Sequence, residues 1–246
     1  MKKRLLVLGL AFTMLAATAC GTSSDDGNKT SKADKTVTAT SNSDKTSETQ
    51  KNDDKKDDAK ESYKSADDIT MDDLKNHEET SAEDFEYGDG PNGSIVIDGY
   101  IGEDPIVVIP NEIDGKKVVD FGKIFTNNKD IVAVRVGDNV ENIKEGAFGN
   151  CDNLKYIILG KNVKVFEHGN VGGKKFEQLE LNDGLEQLGE EGTSGAVIIL
   201  NKDKVEVKIP ESVNHMAFTG AKTLIVKAGS YAESFAKEHN MDYRVE

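Results

Sequence analysis

Short runs of alternating apolar and polar residues recur along the second half of the chain at a nearly fixed interval. Val134-Arg135-Val136-Gly137, Ile157-Ile158-Leu159-Gly160, Leu179-Glu180-Leu181-Asn182 and Val207-Lys208-Ile209-Pro210 each read as a brief strand ended by a turn residue. Four residues after Val136, Leu159, Leu181 and Ile209 stand Val140, Val163, Leu185 and Val213. Seven residues after them stand Ile143, Phe166, Leu188 and Met216. The copies are 23, 22 and 28 residues apart, the long interval holding an insertion around Thr193 to Lys204. An earlier copy is visible as Val107-Val108-Ile109-Pro110, with Ile113-Asp114-Gly115-Lys116 added before Val118 and Phe121.

A unit of this size cannot bury its own apolar face. Stacked neighbours can, and the result is an α/β repeat solenoid whose strands form a parallel sheet. The capping pattern continues to the end of the chain. Ser230 with Glu233 three residues on makes a capping box, and Asn240 a stop, so a terminal helix covers the open end of the stack. Met241 to Val245 is expected as a last strand, and the cap as a whole as about residues 229–246.

The repeat residues resemble a known family. Ile109-Pro110, then Val140-Glu141-Asn142-Ile143 and Ala147-Phe148-Gly149-Asn150-Cys151-Asp152-Asn153-Leu154, look like the BspA-type leucine-rich repeat, roughly I-P, V-x-x-I-G, A-F-x-x-C-x-x-L. Met216-Ala217-Phe218 keeps part of it, while the copies at 160–181 and 182–209 lack the Ala-Phe pair and the Cys. The resemblance covers about Phe85 to Glu246. It implies a curved solenoid with Phe148 in the core and Cys151 packing a loop. It also implies a bacterial-surface role in binding other proteins or in adhesion, and no activity.

Upstream the pattern is different. Residues 20–64 are built from Ser, Thr, Asp, Lys, Asn and Gly with no Leu, Ile, Phe or Met, a composition that cannot offset its ordering entropy and reads as a disordered stalk. As a coil it measures about 35–40 Å, and fully stretched about 150 Å. Residues 65–84 carry Ile69, Met71 and Leu74 among acidic residues and read as a short helix and linker, with Ser65 or Thr70 as N-cap. The folded solenoid is expected over 85–246.

Residues 1–19 have a basic start, Lys2-Lys3-Arg4, an apolar stretch from Leu5 to Ala16, and small residues before Cys20. That is an export signal, too short for a stable span. Its end resembles the lipobox of bacterial lipoprotein signals, with Ala17 where the family usually has Leu. The resemblance implies acylation of Cys20 and a lipid anchor on the outer face of the cell membrane. Ala17-Thr18-Ala19 equally satisfies the ordinary cleavage rule, which would release a secreted protein.

Strand parity assigns the partner face. With Val134, Val136, Ile157, Leu159, Leu179, Leu181, Val207 and Ile209 inward, Ala133, Arg135, Tyr156, Ile158, Gln178, Glu180, Glu206 and Lys208 face out. An exposed Tyr156 beside an exposed Ile158 would mark an interface centre, flanked by Arg135, Gln178 and Glu180. The alternative is that a loop or the 193–204 insertion covers the pair.

Charge and chemistry remove other classes. The net charge is −14, and loss of Lys2, Lys3 and Arg4 with a signal makes it three units more negative, which disfavours nucleic acid. Two cysteines and four scattered histidines lack metal-ligand spacing, and Gly137-Asp138-Asn139 and Asn182-Asp183-Gly184 read as turns before calcium sites. The acidic pair Glu190-Glu191 and the run Gly172-Gly173-Lys174-Lys175 match no catalytic or phosphate motif. No cofactor and no catalytic residue are expected. The function read from the sequence is non-enzymatic binding of a protein or other surface macromolecule. The alternative is an envelope accessory protein docked to an enzyme or cell-wall polymer complex of the same cell.

Overall fold

The computed structural model describes residues 65–167, 171, 175–189, 203, 205–217 and 220–246. The expected signal at 1–19, Cys20 and the expected stalk at 20–64 lie outside the described residues. So do Phe218, Glu190, Glu191, Gly172 to Lys174, and the expected insertion from Thr193 to Lys204 apart from Asp203.

A six-residue helix, α1 (Met71–Asn76), precedes the strands. The N-terminal part then holds β1 (Phe85–Asp89), β2 (Ile95–Tyr100), β3 (Ile106–Val108), β4 (Glu112–Ile113) and β5 (Lys116–Asp120). The repeats supply β6 (Ala133–Arg135), β7 (Asn142–Ile143), β8 (Tyr156–Ile158), β9 (Val165–Phe166), β10 (Gln178–Glu180) and β11 (Gln187–Leu188). The chain ends with β12 (Glu206–Lys208), β13 (His215–Met216), β14 (Thr223–Val226), α2 (Tyr231–Glu238) and β15 (Tyr243–Val245).

These elements make the parallel-strand solenoid that the repeat predicts. One wall is a parallel sheet in the order β10-β8-β6-β3; the other is β13-β11-β9-β7, made of the return strands. Register is strict, with Val107 beside Val134, Val134 beside Ile157, and Ile157 beside Leu179. Between the walls lie the periodic positions: Val136, Val140, Ile143, Leu159, Val163, Phe166, Leu185, Leu188, Ile209, Val213 and Met216 are all buried in one cluster, with Leu181 packed against it. The extra residues of the first copy form a hairpin, β4 against β5, closed by Asp114 and Gly115 at φ 53° and 74°. Two left-handed residues match the twist of the flanking strands, which is why Asp-Gly stands there.

Coil spacing is set by backbone. A Cβ on Gly160 would sit 2.2 Å from the carbonyl oxygen of Gly137 in the preceding coil, so only glycine fits. Phenylalanines from successive coils line the core: the ring of Phe148 stacks on Phe125 at 5.7 Å and 8°, and meets Phe121 at 5.9 Å and Phe166 at 6.4 Å. Cys151 is buried beside them and its thiol donates to the Phe125 carbonyl at 2.9 Å.

The end cap follows its sequence signals. Ser230 Oγ accepts from Glu233 N, and the Glu233 carboxylate accepts from Gly229 N at 2.7 Å, one residue before the cap itself. Ala232, Phe235 and Ala236 are buried against the last coil, and Asn240 has φ 53°. β15 then pairs parallel with β14, extending a three-stranded sheet in the order β12-β14-β15. Sheet pairing therefore breaks between β10 and β12, where the 28-residue repeat falls, while the return strands β11 and β13 stay paired.

Candidate interaction surface

The outer face of the first wall does not lie open along its whole length. Residues 65–80, expected as a helix and linker, run across it as a strap. Ile69 and Leu74 are fully buried and form, with Ile106, Val108, Val132, Ala133 and Tyr156, an apolar cluster on the outside of the sheet. Ala66, Met71 and Ile158 pack around it.

Local chemistry gives the strap its shape. Asp67 and Asp68 sit in a single 3-10 turn, Ala66–Asp68, and Thr70 then caps α1 with a full capping box. Thr70 N and Oγ1 donate to the Asp73 carboxylate at 2.7 and 2.6 Å, and Asp73 N donates back to Thr70 Oγ1 at 3.2 Å. Those bonds from the Thr70 side chain and backbone hold the Asp73 carboxyl below its ordinary value. A six-residue helix is too short to persist alone in water, so its stability comes from the sheet beneath.

Two cations of the sheet grip the strap by its main chain. Lys155, only 7% exposed, donates from Nζ to the Ile69 carbonyl at 2.9 Å and to Asp67 at 3.3 Å. Arg135 donates from Nη1 to the Lys75 carbonyl at 2.8 Å and from Nη2 to His77 at 2.7 Å, closing the last carbonyls of α1. Ion pairs line the rim: Lys75 with Glu180 at 2.6 Å, and Lys175 with Asp67 at 3.4 Å. The strap then joins the edge of the wall, Thr80 N donating to the Val108 carbonyl and Val108 N to Thr80 Oγ1.

This corrects the expected site. Tyr156 does face outward, as parity requires, yet it is 7% exposed, because Leu74 and Ile69 cover it. Its hydroxyl donates to Glu177 at 2.6 Å, and burial, with that carboxylate alongside, pushes its pKa up. Ile158 and Arg135 are half-buried under the same strap. So an open apolar centre at Tyr156 and Ile158 is not what the fold presents. The cover comes from 65–80.

Gln178 and Glu180 lie on β10, along the side of the strap, where Glu180 pairs with Lys75. Both are half-buried, Gln178 Nε2 donating to Glu180 Oε1 at 3.1 Å, while Glu206 and Lys208 on β12 are exposed. Between β10 and β12 runs a groove of about 570 Å³, floored by Leu179, Leu181 and Ile225 and rimmed by Gln178, Glu180, Glu206 and Lys208. The rim is knitted to the last strand by Arg244 to Glu206 at 3.3 Å and Lys208 to Glu246 at 2.5 Å. Of the five residues, Arg135, Tyr156 and Ile158 thus lie under the strap, while Gln178 and Glu180, also half-buried, lie at its border and line the groove.

The turns considered for calcium stitch coils together instead. Asp138 accepts from Lys161 N at 3.1 Å and from Lys161 Nζ at 2.5 Å, and Asn139 Nδ2 donates to the Asn111 carbonyl. Burial works against the Asp138 carboxylate, but the two Lys161 bonds and the charges of Lys161 and Arg135 outweigh it and lower its pKa. Asn182 Nδ2 likewise bonds the Lys161 and Val163 carbonyls. Among the described residues no group of three or more His, Cys, Asp or Glu side chains is placed to hold a metal ion. Burial pushes the Cys151 thiol up to about 11, away from the thiolate form.

No protein-family model matches the chain, and no curated protein matches it. Among solved structures it is similar to a leucine-rich repeat protein of T. pallidum, at 26% identity and TM-score 0.49, over 60% of this chain and 71% of that one. It is also similar to a leucine-rich repeat protein from Bacteroides ovatus ATCC 8483, at 17% identity and TM-score 0.44, covering 60% of this chain and 49% of that one. A third is a leucine rich cell surface protein from Faecalibacterium prausnitzii A2-165, at 15% identity and TM-score 0.35, covering 60% and 54%. The chain spans about half the length of the latter two. The proteins it resembles are of the leucine-rich-repeat class, the class read from the repeat.

Proposed function

We propose that this chain is a lipid-anchored, extracytoplasmic binding protein whose solenoid head engages a macromolecular partner through the groove at the β10 end of its first wall. A leucine-rich-repeat fold is in general a protein-interaction module, and the finer reading rests on one observation. The groove between β10 and β12 combines an apolar lining of Leu179, Leu181, Pro210 and Ile225 with a polar, mostly acidic rim, and interface patches likewise pair an apolar centre with a polar rim. The anchor reading rests on the Lys2-Lys3-Arg4 start, the apolar stretch and Cys20.

Two experiments test it. Mass spectrometry of the mature N-terminus is expected to find a diacylglyceryl group on Cys20, lost in Cys20→Ala; an unmodified Cys20 start would mean secretion. Partner capture from host material and from the same cell's envelope separates adhesion from an accessory role. Capture should be lost in Gln178→Arg with Lys208→Glu and kept in Gln187→Lys on the return wall. Equal capture by both variants would remove the groove as the site.

A further inference from the structure

The strap is seated like a ligand. Its apolar anchors belong to a cluster separate from the core between the walls, so it can leave without opening that core. Lys155 holds the carbonyls of Asp67 and Ile69 ahead of α1 and Arg135 those of Lys75 and His77 at its end, so they read backbone shape, not particular side chains. The charge also matches. Arg135, Lys155 and Lys175 all bond the strap, with Glu177 4.0 Å from Lys155 among them, and the strap carries Asp67, Asp68, Asp72 and Asp73. Lys75 is the exception among these, and it meets Glu180, while His77 lies 3.7 Å from Asp104.

We infer that the covered half of the wall is a second binding site, for a short acidic segment of another protein that enters extended and ends in a capped helical turn, and that residues 66–80 are its resting occupant. The ligand it fits carries two apolar anchors spaced as Ile69 and Leu74, acidic residues before and between them, and one cation after the second. Tyr156 and Arg135 on its floor are residue types that dominate interface energetics. The tethered strap competes at an effective concentration on the order of millimolar, so a partner must outbid an intramolecular occupant. This site adjoins the groove at β10 and β12, and the two share Glu177 and Glu180 at their border.

The test uses the full chain with Leu74→Asp, which puts a charge into the apolar cluster and opens the strap, and as probe a fluorescent peptide with the sequence of residues 65–80. Anisotropy should show binding to the variant at least about tenfold tighter than to the unaltered chain, because the tethered competitor is gone. Arg135→Ala added to Leu74→Asp should abolish it. Ile69→Asp serves as a second opened variant. Equal affinity for opened and unaltered chains, or no binding to either opened variant, overturns the inference. So does loss of the core's cooperative thermal unfolding in both, since the site would then not exist apart from its strap. Lys208→Glu alone, on β12 away from the strap, should leave peptide binding unchanged, which separates this result from failure of the groove reading.

Discussion

Nη2 of Arg135 donates to the carbonyl oxygen of His77 at 2.7 Å, across 58 residues of sequence, and its other terminal nitrogen reaches Lys75 at 2.8 Å. A planar fork can satisfy two carbonyls at once; an ammonium on a flexible stem cannot do so in the same geometry. Arg135→Lys should therefore loosen the end of α1, at a cost of about 1–2 kcal/mol for hydrogen bonds from a charged donor. Limited proteolysis should cut at residues 76–80 faster in the variant, with the repeats left intact.

The same segment is sensitive to acid. Asp73 has a pKa below that of the unfolded chain, so the stability it contributes is present above about pH 4 and is lost as pH falls through the lower folded value. Acid titration should release the strap with a component that disappears in Asp73→Asn. A release curve identical in both proteins would remove the capping box as its cause.

Coil spacing predicts a severe effect from a single methyl group. Gly160→Ala places a Cβ against the Gly137 carbonyl, whose strand is fixed on both sides by sheet pairing. Separating the coils should cost about 1–3 kcal/mol, seen as a lowered thermal midpoint. Gly115→Ala meets no neighbouring atom, so its penalty should come only from the strained φ of 74°.

Phe148 touches three other phenylalanines and is buried. Phe148→Ala should cost about 3–5 kcal/mol, with chemical denaturation as the readout. Cys151 beside it, held at a thiol pKa of about 11, should resist a thiol reagent at neutral pH until the coils unfold. Rapid labelling of the native chain would contradict the burial described.

The solenoid was legible because its signal is periodic. Val136, Leu159, Leu181 and Ile209 begin the same spaced triplet, and each triplet must face the core for its neighbours to be covered. The strap was not. Ile69 and Leu74 lie five apart on either side of the Thr70 cap, a spacing that fits neither a helix nor a strand period. Arg135 and Lys155 hold it by main-chain carbonyls, which no side-chain pattern records. Parity alone put Tyr156 outside, correctly, but parity cannot say what lies over an outward residue. Lys155 was the available hint, a charge at the entry to an apolar strand, where a buried partner has to be supplied.

The most direct measurement is hydrogen–deuterium exchange of the full chain and of Leu74→Asp. In the unaltered chain the amides of Leu74 and Thr80, bonded to Thr70 and Val108, should be protected together with those of Val136 and Leu159, bonded across coils to Ile158 and Glu180. In Leu74→Asp the first pair should exchange freely and the second should stay protected. Loss of all four together would contradict a stacked core that stands independently of the strap on its outer wall.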